Sequence, residues 1–250
     1  MPVVIELRLR ADRAFEPTTR QLHGLACALF EGTQSPGHTS QDKPFTVWPL
    51  TQTPEGWLLR AAWLPPGFPQ AVLVGCGQLR LGPVTYAVTD LAFHPVPHAG
   101  LADGPAAGSI DVTIASPAYF SQNGQHIIVP DPRLIAGSWR RRWNASLPVG
   151  DDLAVTDEQW RDLHQALSLT AFDLRTKTRD TGHGRQQPGF TGTLTLRLDK
   201  TAPIAGARIL GTLSRFAEFC GTGAQTTHGF GATTITATRV HTPVTAPAAP

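Results

Sequence analysis

The chain has 250 residues, enough for two domains that each bury a core. Its 21 Lys and Arg against 19 Asp and Glu leave a net charge of +2, so the totals alone argue against a polyanion-binding protein and only a local concentration of charge could reverse that. Three widely spaced cysteines, Cys27, Cys76 and Cys220, suggest no disulfide framework, residues 1–10 carry no charged-then-apolar leader, and no apolar run approaches the ~20 residues that cross a bilayer, so a cytoplasmic protein with reduced thiols is expected.

Residues 2–10 alternate apolar and polar side chains and read as a strand. Over residues 19–31, Leu22, Leu25, Ala26, Leu29 and Phe30 recur at helical spacing before Gly32, which predicts an amphipathic helix. Residues 43–50 and 57–64 are strand-like and joined by T-Q-T-P-E-G, a hairpin signal. A short helix within 65–75 and strands at 78–81 and 84–93 complete a β-α-β-β-α-β order. Of the 24 Gly and 22 Pro, the densest cluster lies at 94–108, which sets the expected boundary between a first domain, 1–100, and a second, 109–240.

The second half repeats the order. Residues 109–116 read as a strand, 131–144 as a basic helix, and 157–167 as a helix that Thr156 and Gln159 would cap reciprocally. Residues 169–178 and 189–199 form a strand pair around the flexible-looking T-R-D-T-G-H-G-R-Q-Q-P. A helix over 207–220, a glycine loop and a last strand follow, and the Pro/Ala/Thr-rich tail 241–250 should be disordered. Two such units in tandem predict an α+β chain of two ferredoxin-like domains.

The loop at 221–231, G-T-G-A-Q-T-T-H-G-F-G, is the most informative motif. Gly221, Gly223, Gly229 and Gly231 tolerate positive φ and let backbone N–H groups approach an anion, phosphate above all. Its order, helix then loop then strand, is the reverse of the dinucleotide fingerprint, and it lacks the Gly-Lys-Ser/Thr of a Walker loop. A polyphosphate chain such as RNA is therefore the favoured ligand, with a purely architectural connection as the alternative. Charge is concentrated nearby: Arg133, Arg140, Arg141 and Arg142 lie in an acid-free stretch, 133–150. Three consecutive helical arginines must splay, so one or two can meet phosphate and at least one should face solvent. Trp139 and Trp143 should pack the core. No Cys/His spacing suggests zinc and no carboxylate cluster suggests magnesium.

The chain resembles the CRISPR-associated repeat-processing endoribonucleases of the RAMP superfamily. The resemblance rests on G-F-T-G at 189–192, then F-A-E-F-C-G-T-G-A-Q-T-T-H-G-F-G at 216–231, with S-P-A-Y-F at 116–120, V-P-D-P at 129–132 and S-W-R-R-R-W-N at 138–144. In the first half, H-T-S-Q-D-K-P-F-T at 38–46 is similar to the family's His-x4-Lys-Pro-Phe-Thr stretch. It implies a cofactor-free, metal-independent nuclease that cuts precursor CRISPR repeat RNA by 2′-hydroxyl attack, leaving a 2′,3′-cyclic phosphate. The partners expected are the repeat RNA and, beyond it, surveillance-complex subunits or a second copy of the chain, with no membrane partner.

Such chemistry needs a base, an acid and charge for the phosphorane. His38 sits at the family's catalytic position, in a loop after the first helix. His23, at the flank of that helix's apolar stripe, is the candidate partner, and Lys43 the candidate phosphorane stabiliser; an ordinary loop histidine, helix-edge histidine and solvated lysine are the alternatives. His228 is a candidate phosphate contact beside the glycines. Family members commonly place a tyrosine near the first helix, and here the first is Tyr86. That departure favours a second reading, a non-catalytic RAMP subunit that holds guide RNA within a larger complex.

Overall fold

The computed structural model describes residues 1–13, 15–31, 43–68 and 76–242. The first sheet is built from β1 (Val3–Arg10), β2 (Phe45–Val47), β3 (Thr51–Thr53), β4 (Gly56–Trp63), β5 (Gln78–Leu81) and β6 (Val84–Pro95), with α1 (Thr19–Glu31) following β1. Its order is β2-β4-β1-β6-β5, with β3 also paired to β4, and every pairing is antiparallel. Taking β1, β2, β4 and β6 as the four strands of a ferredoxin-like unit, the spatial order is second, third, first, fourth.

Thr18 and Gln21 open α1 by reciprocal capping: the Gln21 amide donates to Thr18 Oγ1 and the Thr18 amide to Gln21 Oε1. The helix then lays Leu22, Leu25, Ala26, Leu29 and Phe30 on Ile5, Leu7 and Leu9 of β1. The start of β1 departs from simple alternation. Val4 is buried like its neighbours Val3 and Ile5, because its face of the sheet is covered by the second core, which also takes in Ala62 and Leu64.

The second half contains α2 (His98–Ala102), β7 (Ala107–Ala118), β8 (Phe120–Gln122), β9 (Gln125–Ile127), α3 (Pro132–Ser146), α4 (Asp157–Ala166), β10 (Leu167–Gly182), β11 (Arg185–Leu198), α5 (Ile204–Cys220) and β12 (Thr233–Val240). Its main sheet runs β10-β11-β7-β12, again second, third, first, fourth, and is antiparallel throughout. The fold is thus α+β with two ferredoxin-like sheets, as the element order implies. Helix α5 carries the second core: Leu210, Leu213, Phe216 and Ala217 pack with Trp139 and Trp143 of α3 and with Ile110, Val112 and Ile114 of β7. Both tryptophan N–H groups are satisfied, Trp139 by Thr222 Oγ1 at 2.9 Å and Trp143 by the Leu153 carbonyl at 2.8 Å. Thr156 and Gln159 form the expected capping box on α4.

Several expectations change. The expected strand 43–50 shortens to β2, which stops before Trp48–Pro49–Leu50, where Pro49 has no N–H to give a ladder, and β3 forms instead within the expected hairpin connection. The Pro/Gly cluster at 94–108 is no bare linker: it holds the end of β6, helix α2 and the start of β7. Its His98 packs on Trp143 and Phe216, and its Leu101 carbonyl accepts from Arg215, so α2 belongs by contact to the second half. The stretch 176–189 is ordered strand, because His183 and Gly184 close a two-residue turn with φ of 54° and 71°. Asn123-Gly124 closes the β8–β9 hairpin in the same way, with φ of 50° and 77°. His241, assigned to the tail, is buried, its amide bonded to the Ala106 carbonyl and its Nε2 3.1 Å from the Ala202 carbonyl oxygen. The rest of the expected tail, 243–250, and the expected helix segment 69–75 lie outside the described residues.

Candidate RNA-processing site

The glycine loop leaves the end of α5 and runs along the seam between the two halves. Its glycines are dictated largely by backbone geometry. At Gly231, φ is +61° and an added Cβ would collide with the Thr222 carbonyl; at Gly223, φ is +83° and the collision is with the Tyr119 carbonyl. Most of the amides expected to meet phosphate are engaged inside the protein. Gly221 N–H donates to the Ala217 carbonyl at 2.8 Å, Gly223 N–H to Ser138 Oγ at 3.1 Å and Gly231 N–H to the Pro117 carbonyl at 2.9 Å. Thr222 N–H closes back on the Gly231 carbonyl, pinching the loop at its base. In this conformation the 224–228 crest turns Gln225, with the partly exposed Ala224 and His228, toward solvent, and the amides of Gly221, Gly223 and Gly231 stay engaged inside. Gly229, φ +84°, packs toward Leu22 of α1 and the Val47–Pro49 backbone.

That crest meets the first half of the chain. A 3-10 turn, Thr226–His228, brings the His228 ring parallel to His23 of α1, with centroids 3.8 Å apart and planes within 6°. His23 Nδ1 lies 3.0 Å from the Thr227 carbonyl oxygen, and Cys27, one turn along α1, places Sγ 3.5 Å from His23 Nε2. His228 Nδ1 is 2.9 Å from Thr227 Oγ1. Burial pushes the His228 imidazole down to about 4, with the charge of His23 as the second cause. His228 is therefore neutral near pH 7.

The Lys43 backbone and the Arg142 side chain meet beside this pair. Lys43, only 6% exposed, precedes β2. Arg142 of α3 reaches the same place, donating from Nη1 to the Lys43 carbonyl at 3.5 Å and from Nη2 to Thr226 Oγ1. A third tie, Thr46 Oγ1 to the Phe219 carbonyl at 2.6 Å, joins β2 to the end of α5. The sequence candidates His23, Lys43, Arg142, His228 and the loop thus converge from both halves of the chain. His38 lies outside the described residues; Lys43, five positions on, is the first described residue after it.

The other arginines separate as three successive helical positions must. Arg140, expected to face RNA, is held by Asp157 Oδ1 at 2.6 Å and by the Val155 carbonyl at 3.0 Å and 3.1 Å, with its guanidinium over Trp160. It staples α3 to the start of α4 and draws the Asp157 carboxyl below the usual range. Arg141 is exposed. With Arg133, Trp160, His164, Ser121 and Ala224 it lines an open groove of about 530 Å³ on the second half, beside the glycine loop. Sequence reasoning did not foresee this groove; Arg133 and Arg141, eight positions apart on one helical face, were its available signal.

Neither of the chain's two tyrosines stands in for the family's. Tyr86 is fully buried, and Tyr119 is buried with its hydroxyl pushed up to about 12. Among the described residues no group of three or more His, Cys, Asp or Glu stands together as a metal-ligand set. No described helix is long and apolar enough to cross a membrane.

Two ferredoxin-like sheets with a glycine-rich crest at their seam define a RAMP-type protein. The family model for "CRISPR-associated endoribonuclease Cas6" matches residues 112–233. Curated Cas6 endoribonucleases from two Mycobacterium tuberculosis strains are 29% identical over 121 residues, which is 48% of this chain and 37% of theirs, so the match spans little more than a third of those relatives. A Cas6 product complex superposes with a TM-score of 0.80 at 27% identity, covering 94% of this chain and 99% of that one. Thermus thermophilus Cas6 gives 0.74 at 28% identity, with 94% and 98% covered. In sequence over residues 112–233, and in fold over nearly its whole length, the chain is similar to the CRISPR-associated Cas6 endoribonucleases.

Proposed function

We propose that this chain cleaves CRISPR repeat RNA without a metal ion, by internal transesterification. The observation that carries the proposal is the convergence of His23 with Lys43 and Arg142 at the seam beside the glycine loop. In the proposed reaction an imidazole removes the proton of the 2′-hydroxyl, the 2′-oxygen forms a bond to the adjacent phosphorus, and the bond to the 5′-oxygen breaks. A second group protonates the departing 5′-oxygen, leaving a 2′,3′-cyclic phosphate and a 5′-hydroxyl. His23 and His38 are the proposed proton-transfer pair, and Lys43 and Arg142 the proposed charge facing the phosphorane. The likeness to Cas6 endoribonucleases and to a Cas6 product complex supports RNA as the substrate class.

Cleavage of the cognate repeat should proceed in EDTA and stop when one 2′-deoxynucleotide replaces the nucleotide at the cut. His23→Ala and His38→Ala should each slow single-turnover cleavage ~10²-fold to 10⁴-fold, the span of one acid or base group, with RNA affinity nearly unchanged. An absolute magnesium requirement would refute the mechanism. RNA binding without any cleavage would instead favour the non-catalytic RAMP subunit.

A further inference from the structure

We infer that His228 is a positioning residue that orients His23 by stacking and takes no part in proton transfer. This rests on the proposed cleavage reaction and assigns a separate role within it.

His23 sits on the outer flank of α1, where a histidine ring is ordinarily free to change rotamer. Three contacts constrain it here. The Thr227 carbonyl can only accept, so Nδ1 of His23 carries the proton of that 3.0 Å contact, and in the neutral ring Nε2 is the unprotonated nitrogen. Cys27 flanks Nε2 at 3.5 Å. The His228 ring then covers a face of the imidazole in a nearly parallel stack. One residue, Thr227, aligns both rings, its carbonyl holding His23 and its hydroxyl meeting His228 Nδ1. The local order Thr-Thr-His, in a turn entered through left-handed Gln225 (φ 53°) and left through Gly229, delivers the two contacts together.

The surroundings suit His228 to stacking rather than to acid or base work. Of the charged groups on the adjoining elements, Lys43 and Arg142 are cations, and Arg20, one turn before His23 on α1, is also a cation and is engaged with His183 at 2.8 Å. Burial first, and then the charge of His23, hold His228 neutral near pH 7. A neutral imidazole of low basicity is a poor donor and a poor acceptor of protons near pH 7. Its flat face is what remains useful.

The test is single-turnover cleavage of repeat RNA across pH by wild type, His228→Ala and His228→Phe, with RNA affinity and melting temperature measured alongside. His228→Phe should keep the rate within about fivefold and leave both limbs of the pH profile in place, because the planar stack survives. His228→Ala should slow cleavage by roughly tenfold to a hundredfold while affinity stays within a few-fold. If His228→Phe is as slow as His228→Ala and loses one limb of the profile, His228 transfers a proton and the inference is wrong. It is equally wrong if both variants match wild type. Should wild type itself not cleave, the proposed function fails, and the stacking is then read by NMR: the His23 ring signals should remain near their wild-type shifts in His228→Phe and move in His228→Ala, and the reverse pattern overturns it.

Discussion

At the scale of single residues, the glycines of the loop separate space from conformation. Gly231 needs both, since its φ of +61° is unfavourable to any side chain and the place of a Cβ is occupied by the Thr222 carbonyl. Gly231→Ala should therefore cost more than ~2 kcal/mol in denaturant unfolding, in the range of strain plus overpacking. RNA binding should weaken only as far as folding does; full stability in the variant would show that the loop has an alternative conformation. The sequence makes the need for these glycines plain but not its cause. It suggests amides bared for phosphate, whereas Ser138, Ala217 and Pro117 receive three of them, and Ser138 and Pro117 are brought close only by the folding of the chain.

At the scale of elements, α3 sorts its arginines by direction. Arg140 faces α4 and Asp157, Arg142 faces the loop and Lys43, and Arg141 and Arg133 face open solvent at the groove. Arg141→Ala should weaken RNA binding and lower the salt dependence of binding by about one counterion, as for a phosphate contact. Arg140→Ala should leave that slope unchanged and lower the melting temperature instead, through loss of its ties to Val155 and Asp157. Equal salt slopes for the two variants would place the RNA elsewhere. Helical periodicity suffices to read that three adjacent arginines diverge, but not which one meets an acid, because Asp157 enters only through the fold of α4 against α3. Turn chemistry is the stronger local signal. Asn123-Gly124 and His183-Gly184 each supply two successive positive φ values, and each turns an apparent loop into a hairpin.

At the scale of the whole molecule, the two halves are joined by polar ties: Thr46 to Phe219, Arg142 to Lys43, and His23 to Thr227. Alternation and helical spacing reveal the two repeated units, yet the seam is invisible to either, since its partners come from opposite ends of the chain. Two histidines make this architecture sensitive to acid. His98, buried against Trp143 and Phe216, and His228 are both held down to about 4, chiefly by burial. The unfolded chain would take up those protons near pH ~6.5, so it binds more protons than the folded protein between about 4 and ~6.5. The stability they allow is complete above that window and is lost as pH falls through it. The melting temperature should drop between pH 7 and pH 5, and His98→Gln should flatten the drop; an unchanged slope would mean that His98 is protonated without penalty.

The stack of His23 on His228 also joins residues that are synthesised near opposite ends of the chain. A nascent chain halted before Gly221 carries α1 packed on β1 but no ring to stack on His23, so such ribosome-tethered intermediates should not cleave RNA. Competence would arrive abruptly once the crest and the strand behind it have cleared the exit tunnel. The order of translation would thereby delay the proposed cleavage until both halves exist.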